Sequence, residues 1–264
     1  VIDTHCHLNF PDFDPDRYPG GVDAVLAKAA AKGVDGYITV STTTHAATEL
    51  LSLANRYERV WCSAGVHPLY SDEGPHDWEA MRRVGEHRKC VAWGELGLDN
   101  HYTKPPRAVQ HEVLADQLGH IEQWAAGGLV KPVIIHCRDA FADLLPILRA
   151  AQIPGDRYVF HCFTGTADDV RKVLDFGSYV SFTGVVTYKN AQNVRDAAVL
   201  VPADRIMIET DSPFLAPEPH RTTRPCEPWM ASVTAKAVAT LRGVAWEEFE
   251  GQINRNTRAF FGIS

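Results

Sequence analysis

The sequence predicts an α/β protein folded as a (β/α)8 barrel, and three observations carry that expectation. Apolar, β-branched runs alternate with helix-period segments eight times along the chain. The connections are short and punctuated by Gly and Pro, the pattern of a parallel sheet covered by helices. Eight such units in 264 residues suit a closed barrel better than an open doubly wound sheet. No Gly-x-Gly-x-x-Gly follows the first strand, which weakens a dinucleotide-binding alternative. No linker or low-complexity stretch interrupts the pattern, so a single domain over 1–264 is the economical reading.

The elements follow in order. The first strand, 1–7, is a β-branched run ending in His-Cys-His. A loop rich in Pro, Asp and Gly over 12–21 leads to a helix at 22–32, stopped by Gly33. A second strand at 36–41 and its helix at 46–57 come next, then a third strand at 60–67 and a helix at 78–87. The fourth strand, 90–95, precedes the longest helix, about 108–126. The fifth, 132–136, is an apolar run bounded by Pro, with a helix at 140–151 behind it. The sixth at 158–162, seventh at 178–182 and eighth at 205–209 alternate with helices at 167–176 and 191–200. Two terminal helices, 228–241 and 246–260, complete the pattern.

Composition bounds the function. The chain is 45% hydrophobic and 22% charged, enough for a sizeable core. No run approaches the roughly 20 apolar residues that span a bilayer, and no charged-then-apolar leader is seen, so nothing points to secretion and a cytoplasmic protein is expected. The sequence leaves the oligomeric state open, with a monomer as the default expectation. The net charge of −7 argues against a protein that coats duplex DNA, without arguing against phosphodiester cleavage. Six cysteines lack Cys-x-x-Cys spacing, and three follow a histidine directly (Cys6, Cys137 and Cys162). If each pair lies on a strand, His and Cys face opposite ways, and the thiols are expected to be free and buried beneath the helices.

Chemistry collects at the C-terminal strand ends, where barrel enzymes place their sites. Strand one ends in His5 and His7, strand three in His67, strand four in Glu95, strand five in His136, strand six in His161, and strand eight runs into Asp211. Strand parity puts Val91, Trp93 and Glu95 on one face, and likewise Met207, Glu209 and Asp211. Imidazole and carboxylate donors without thiolate suit one or two divalent ions such as Mg, Mn or Zn. The expected division is one ion on His5, His7, Glu95 and Asp211 and a second on Glu95, His136 and His161, with Glu95 as the bridge. Asp211 is then placed to orient a water and take its proton, and Asp3 to fix an imidazole tautomer.

These stretches resemble the TatD family of metal-dependent deoxyribonucleases, within the amidohydrolase-like hydrolases. The matching motifs are Asp3-Thr4-His5-Cys6-His7-Leu8, Gly65-Val66-His67-Pro68, Gly94-Glu95-Leu96-Gly97-Leu98-Asp99, Ile135-His136-Cys137-Arg138-Asp139-Ala140, His161-Cys162-Phe163-Thr164-Gly165 and Glu209-Thr210-Asp211-Ser212-Pro213-Phe214-Leu215. They span nearly the whole chain in the family's order. The resemblance implies a TIM barrel and a one- or two-metal site on His5, His7, Glu95, His136, His161 and Asp211. It also implies hydrolysis of DNA, with many members trimming single strands from the 3′ end. It implies phosphate contacts at His67 and Arg138 and a rim contact at Tyr188. The chain departs from the family's pattern at Asn100, where an aromatic residue is common, and at Cys226, where Asn is usual.

The function expected is therefore metal-dependent cleavage of DNA phosphodiesters, by a 3′-to-5′ exodeoxyribonuclease acting on single strands, with Glu95 and Asp211 as the catalytic carboxylates. Two alternatives stand beside it. The same chemistry serves amide or ester hydrolysis, including deacylation of misacylated tRNA. A catalytically idle metal-binding scaffold is the other. Lys104, Arg107, Lys189, Arg221 and Arg224 fall in loops after strands, where they form a basic rim or scattered surface charge.

Overall fold

The computed structural model describes residues 1–264. Eight strands form a parallel sheet in the order in which they occur along the chain. They are β1 (Ile2–Cys6), β2 (Gly36–Thr39), β3 (Val60–Ala64), β4 (Cys90–Asp99), β5 (Val133–Arg138), β6 (Tyr158–Phe160), β7 (Tyr179–Phe182) and β8 (Ile206–Ile208). The helices between them are α1 (Gly21–Ala30), α2 (Thr44–Ala54), α3 (Trp78–Gly85), α4 (Arg107–Ala126), α5 (Phe141–Ala150), α6 (Ala167–Asp175) and α7 (Gln192–Leu200). Two further helices, α8 (Ala231–Arg242) and α9 (Trp246–Phe261), end the chain. This is the TIM-barrel class. No helix is long and apolar enough to cross a membrane.

Local chemistry explains the helix boundaries. The Thr43 hydroxyl accepts the Ala46 N–H at the start of α2, and the Asp77 carboxylate accepts that of Ala80 at the start of α3. Gly243 and Gly262 close α8 and α9 in the left-handed conformation. The expected helix at 228–241 begins later than predicted, because Pro228–Met230 winds as a 3-10 turn ahead of α8.

The chain divides into two compact units. One comprises residues 1–39, 162–171 and 180–264, the other 40–161 and 172–179. In the first, Leu8, Phe13, Ile38, Phe163 and Phe182 are fully buried. There the backbone beyond β8 runs beside β1: Asp211 N–H donates to His5 carbonyl and His7 N–H to Ser212 carbonyl, both at 2.8 Å. In the second, Trp93, Met81, Leu96 and Leu98 fill the core, and Lys89 Nζ gathers the carbonyls of Tyr57, Glu58 and Val60 at 2.5–2.9 Å.

Several strand limits differ from the sequence reading, and the differences bear on the site. β4 runs on to Asp99, four residues further than expected, while β3, β6 and β8 stop short of His67, His161 and Asp211. Cys162 and Asp211 lie beyond their strands with φ of 44° and 60°, so strand alternation does not govern them. The cysteines are all free; five are buried, and Cys162 is partly exposed because its segment has already left the strand.

Candidate metal centre

Glu95 lies midway along β4, in a segment whose path requires glycine. A Cβ on Gly97, at φ +149°, would lie 1.9 Å from the His136 carbonyl oxygen. The absent side chain therefore lets β4 and β5 approach closely enough to bring Glu95 and His136 together. Glu95 is buried, and its Oε1 lies 2.8 Å from His136 Nδ1, 2.6 Å from His161 Nε2 and 3.5 Å from His67 Nε2. One carboxylate oxygen thus faces three imidazoles.

His136 is held from its far side. Its Nε2 lies 3.1 Å from Asp99 Oδ2, while Asp99 Oδ1 accepts the N–H groups of His101 and Tyr102. Burial works to lower the His136 pKa, but the hydrogen bonds to Asp99 and Glu95 outweigh it and hold the ring above its ordinary 6.5. The Asp99 carboxyl is pushed up by burial and pulled down further by His136 and the two backbone donors, so it lies below its ordinary value. In the charged ring both nitrogens donate, Nε2–H to Asp99 and Nδ1–H to Glu95; loss of the Nδ1 proton would free that atom for a cation while Asp99 keeps the ring oriented.

His67 is set differently. It follows β3 as the cap of a 3-10 turn, and its Nδ1 accepts the Leu69 N–H at 3.0 Å. The proton of the neutral ring then sits on Nε2, the atom 3.2 Å from His136 Nδ1. His67 belongs to a group of potential ligands with Glu95 and His136, but it faces that group as a hydrogen-bond donor.

The first unit carries a second group, His5, His7 and Asp211. Asp211 Oδ1 is 3.6 Å from His5 Nε2 and 3.3 Å from His7 Nε2. These separations match the edge of a tetrahedron with bonds of 2.0–2.1 Å, roughly 3.3 Å. Such separations suit donors arranged around one ion. The donor chemistry fits a divalent cation, with imidazole and carboxylate present and thiolate absent.

Asp3 does a different task from the one expected. Its carboxylate accepts from Thr210 N–H at 2.9 Å, Thr210 hydroxyl at 2.6 Å and His5 N–H at 3.3 Å, so it fixes backbone rather than an imidazole tautomer. Burial pushes its pKa up to about 8 against the opposing Thr210 hydrogen bonds. Glu209, absent from the predicted ligands, brings a carboxylate oxygen within 4.8 Å of a His5 ring nitrogen. Its carboxylate also accepts Cys162 N–H at 2.5 Å and Thr4 hydroxyl at 3.3 Å. Sequence reasoning missed Asp99 and Glu209. The signal was Glu95-x-x-x-Asp99 spacing on one strand face, and the alternation of Met207 with Glu209.

The remaining predicted contacts lie at the rims. Arg138 ends β5 with its guanidinium 5.1 Å from the Tyr102 ring centroid. The Tyr188 hydroxyl donates to the Ala216 carbonyl, and Arg221 stacks 4.0 Å above its ring. Asn100 ties its loop to Asp143 at 2.7 Å, and Cys226 is buried against Ser212 and Met230. Neither departure from the family pattern falls among the potential ligands.

The comparisons with known proteins agree with this chemistry. A family model described as TatD related DNase matches residues 2–262. This chain belongs to the TatD family. It is 41% identical over 263 residues to the uncharacterized metal-dependent hydrolase YcfH of Escherichia coli (strain K12), covering 100% of this chain and 96% of that one. It is 34% identical to the 3′-5′ ssDNA/RNA exonuclease TatD of Enterobacter lignolyticus (strain SCF1), over the full length of both. The crystal structure of YJJV, a TatD homolog from Escherichia coli K12, superposes with a TM-score of 0.89 at 28% identity, covering 100% of this chain and 98% of that one. The protein is thus a metal-dependent hydrolase of the TatD family, with histidine and carboxylate groups able to hold a metal.

Proposed function

We propose that this protein is a 3′-to-5′ exonuclease that hydrolyses phosphodiester bonds of single-stranded DNA. Its metal ligands in this reading are His5, His7, Glu95, His136, His161 and Asp211, within one catalytic domain. The observation that carries the reading is the pair of imidazole–carboxylate groups, His5 and His7 with Asp211, and His136 and His161 with Glu95, in a family that includes relatives named as ssDNA/RNA exonucleases. A bound divalent cation supplies Lewis acidity, bringing water's pKa from 15.7 toward about 7 and drawing charge from a phosphoryl oxygen.

The chain's own residues do the rest. The Asp211 side chain is 15% exposed, so its carboxylate is open to a water that it can orient and deprotonate. His67 Nε2–H donates toward a non-bridging phosphate oxygen, which its tautomer suits. Arg138, braced on Tyr102, and the Tyr188–Arg221 pair meet the strand at the rims. Glu95 holds His136 and His161 in register on one oxygen.

The test is release of mononucleotides from a single-stranded oligonucleotide labelled at either end, with Mn²⁺, Mg²⁺ or Zn²⁺, beside an aminoacyl ester and a cyclic amide. Ordered shortening from the 3′ end, abolished by chelation, is expected. Turnover of the ester or amide alone moves the assignment to carbonyl hydrolysis. Asp211→Asn is expected to lower kcat about 10²–10⁴-fold, and Glu95→Ala by several orders of magnitude, with the circular dichroism spectrum of each unchanged.

A further inference from the structure

Phe214 is one of two exposed aromatic side chains among the large hydrophobics, at 48% exposure; the other is Tyr102. Packing does not account for it, since a ring nearly half in water gives up much of the benefit of burial. Its position is specific. Phe214 N–H donates to the carbonyl of Asp211 at 2.9 Å, and Phe10 N–H donates to the carbonyl of His7 at 3.2 Å. Each aromatic is therefore tethered by one backbone hydrogen bond to a potential metal ligand three residues before it.

The rings continue this arrangement. Phe10 stacks on the His7 imidazole, with centroids 4.6 Å apart and planes at 24°. Phe214 meets Phe10 edge-to-face at 5.8 Å and 81°, and lies 6.4 Å from the His7 ring. An aromatic cluster thus adjoins the His5/His7/Asp211 group, with Phe214 standing nearly perpendicular to Phe10 and nearly half of its ring open to solvent. An exposed ring beside that group suits a flat, apolar face, and on the nuclease reading the substrate that arrives there carries bases as well as phosphates. A nucleobase offers such a face, and stacking is tolerant of base identity.

We propose that Phe214, supported by Phe10, is the stacking platform for a nucleobase next to the scissile phosphate and so sets the enzyme's demand for a base-bearing end. The proposal rests on the nuclease reading above. The experiment compares kcat/KM of the Mn²⁺-loaded protein on an intact single-stranded oligonucleotide with that on two analogues. One carries an abasic residue at the last 3′ position, the other at the penultimate position. The wild-type protein is expected to lose roughly 5- to 150-fold at one of the two positions, the range that stacking one base supplies. Phe214→Ala and Phe214→Leu are expected to show less than about twofold discrimination there, while Phe214→Trp keeps it. Leu retains apolar bulk without a π face, which separates stacking from simple packing.

A wild-type protein indifferent to base removal at both positions overturns the platform while leaving the nuclease reading intact. So does a Phe214→Ala variant that keeps the wild-type ratio. A wild-type protein that does not cut the intact oligonucleotide overturns both.

Discussion

At the scale of single residues, the site depends on where protons sit. His136 and His67 lie 3.2 Å apart by their ring nitrogens yet are set as opposites. Asp99 faces Nε2 of the first and leaves Nδ1 turned to Glu95; the Leu69 N–H takes the Nδ1 lone pair of the second, leaving Nε2 as a donor. Asp99→Asn keeps the shape of the side chain and removes its charge. It is expected to weaken metal affinity about 10–100-fold, measured by competition with a chromophoric chelator, while the folded spectrum is retained. Unchanged affinity would show that His136 needs no support from behind. The same substitution removes the hydrogen bond that raises the His136 pKa, so the ring is expected to titrate lower by NMR in the metal-free protein.

At the scale of elements, the decisive feature is how strands end. Asp139, Cys162 and Asp211 follow β5, β6 and β8 with φ of 53°, 44° and 60°. Such left-handed residues other than glycine cluster at functional sites, where surrounding contacts hold them. Here the Asp211 N–H bond to His5 carbonyl holds one of them. β4 shows the same logic inside a strand. Gly97→Ala forces a Cβ against the His136 carbonyl at a φ that L residues avoid, and is expected to cost about 3 kcal/mol or more in urea unfolding. Gly119→Ala, in α4 with nothing within 4 Å of the new Cβ, is the control and is expected to stabilise by about 0.5–1 kcal/mol. Similar small effects from both would remove the claim that close approach of β4 and β5 sets the position of Glu95.

At the scale of the whole molecule, metal binding and stability are linked. A cation that binds only the folded chain adds about 2.7 kcal/mol at a hundred times its Kd. For a chain of this size that raises Tm by roughly 5–10 °C. Differential scanning fluorimetry with and without Mn²⁺ measures the shift, which His5→Ala is expected to diminish. The shift also depends on pH, and its sign is fixed by His136. Its folded pKa lies above 6.5, so the stability it gives the metal-free protein is fully present below pH 6.5 and is lost as pH rises through the folded value. The metal needs the neutral ring, so its affinity rises over that same window. The metal-induced increase in Tm is therefore expected to grow as pH rises above 6.5 through the folded value. A shift that shrinks over this range would exclude His136 as a ligand.

The kinds of element, their order and the residue types at the strand ends were legible in the chain alone. Each of these is written locally: apolar alternation marks a strand, Thr43 or Asp77 marks a helix start, and His5-Cys6-His7 is already a pair of donors. The family likeness was equally local, carried by short motifs around His5, Glu95, His136 and Asp211. Which donors share a group, that His67 enters one as a donor, and that Asp3 serves backbone emerged from the folded arrangement. It alone revealed Asp99 behind His136, Glu209 near His5, and Phe214 left half in water. Those facts depend on the register between strands distant in sequence and on backbone turned to positive φ after the last strand residue. Strand parity carries no information about side-chain direction beyond that point.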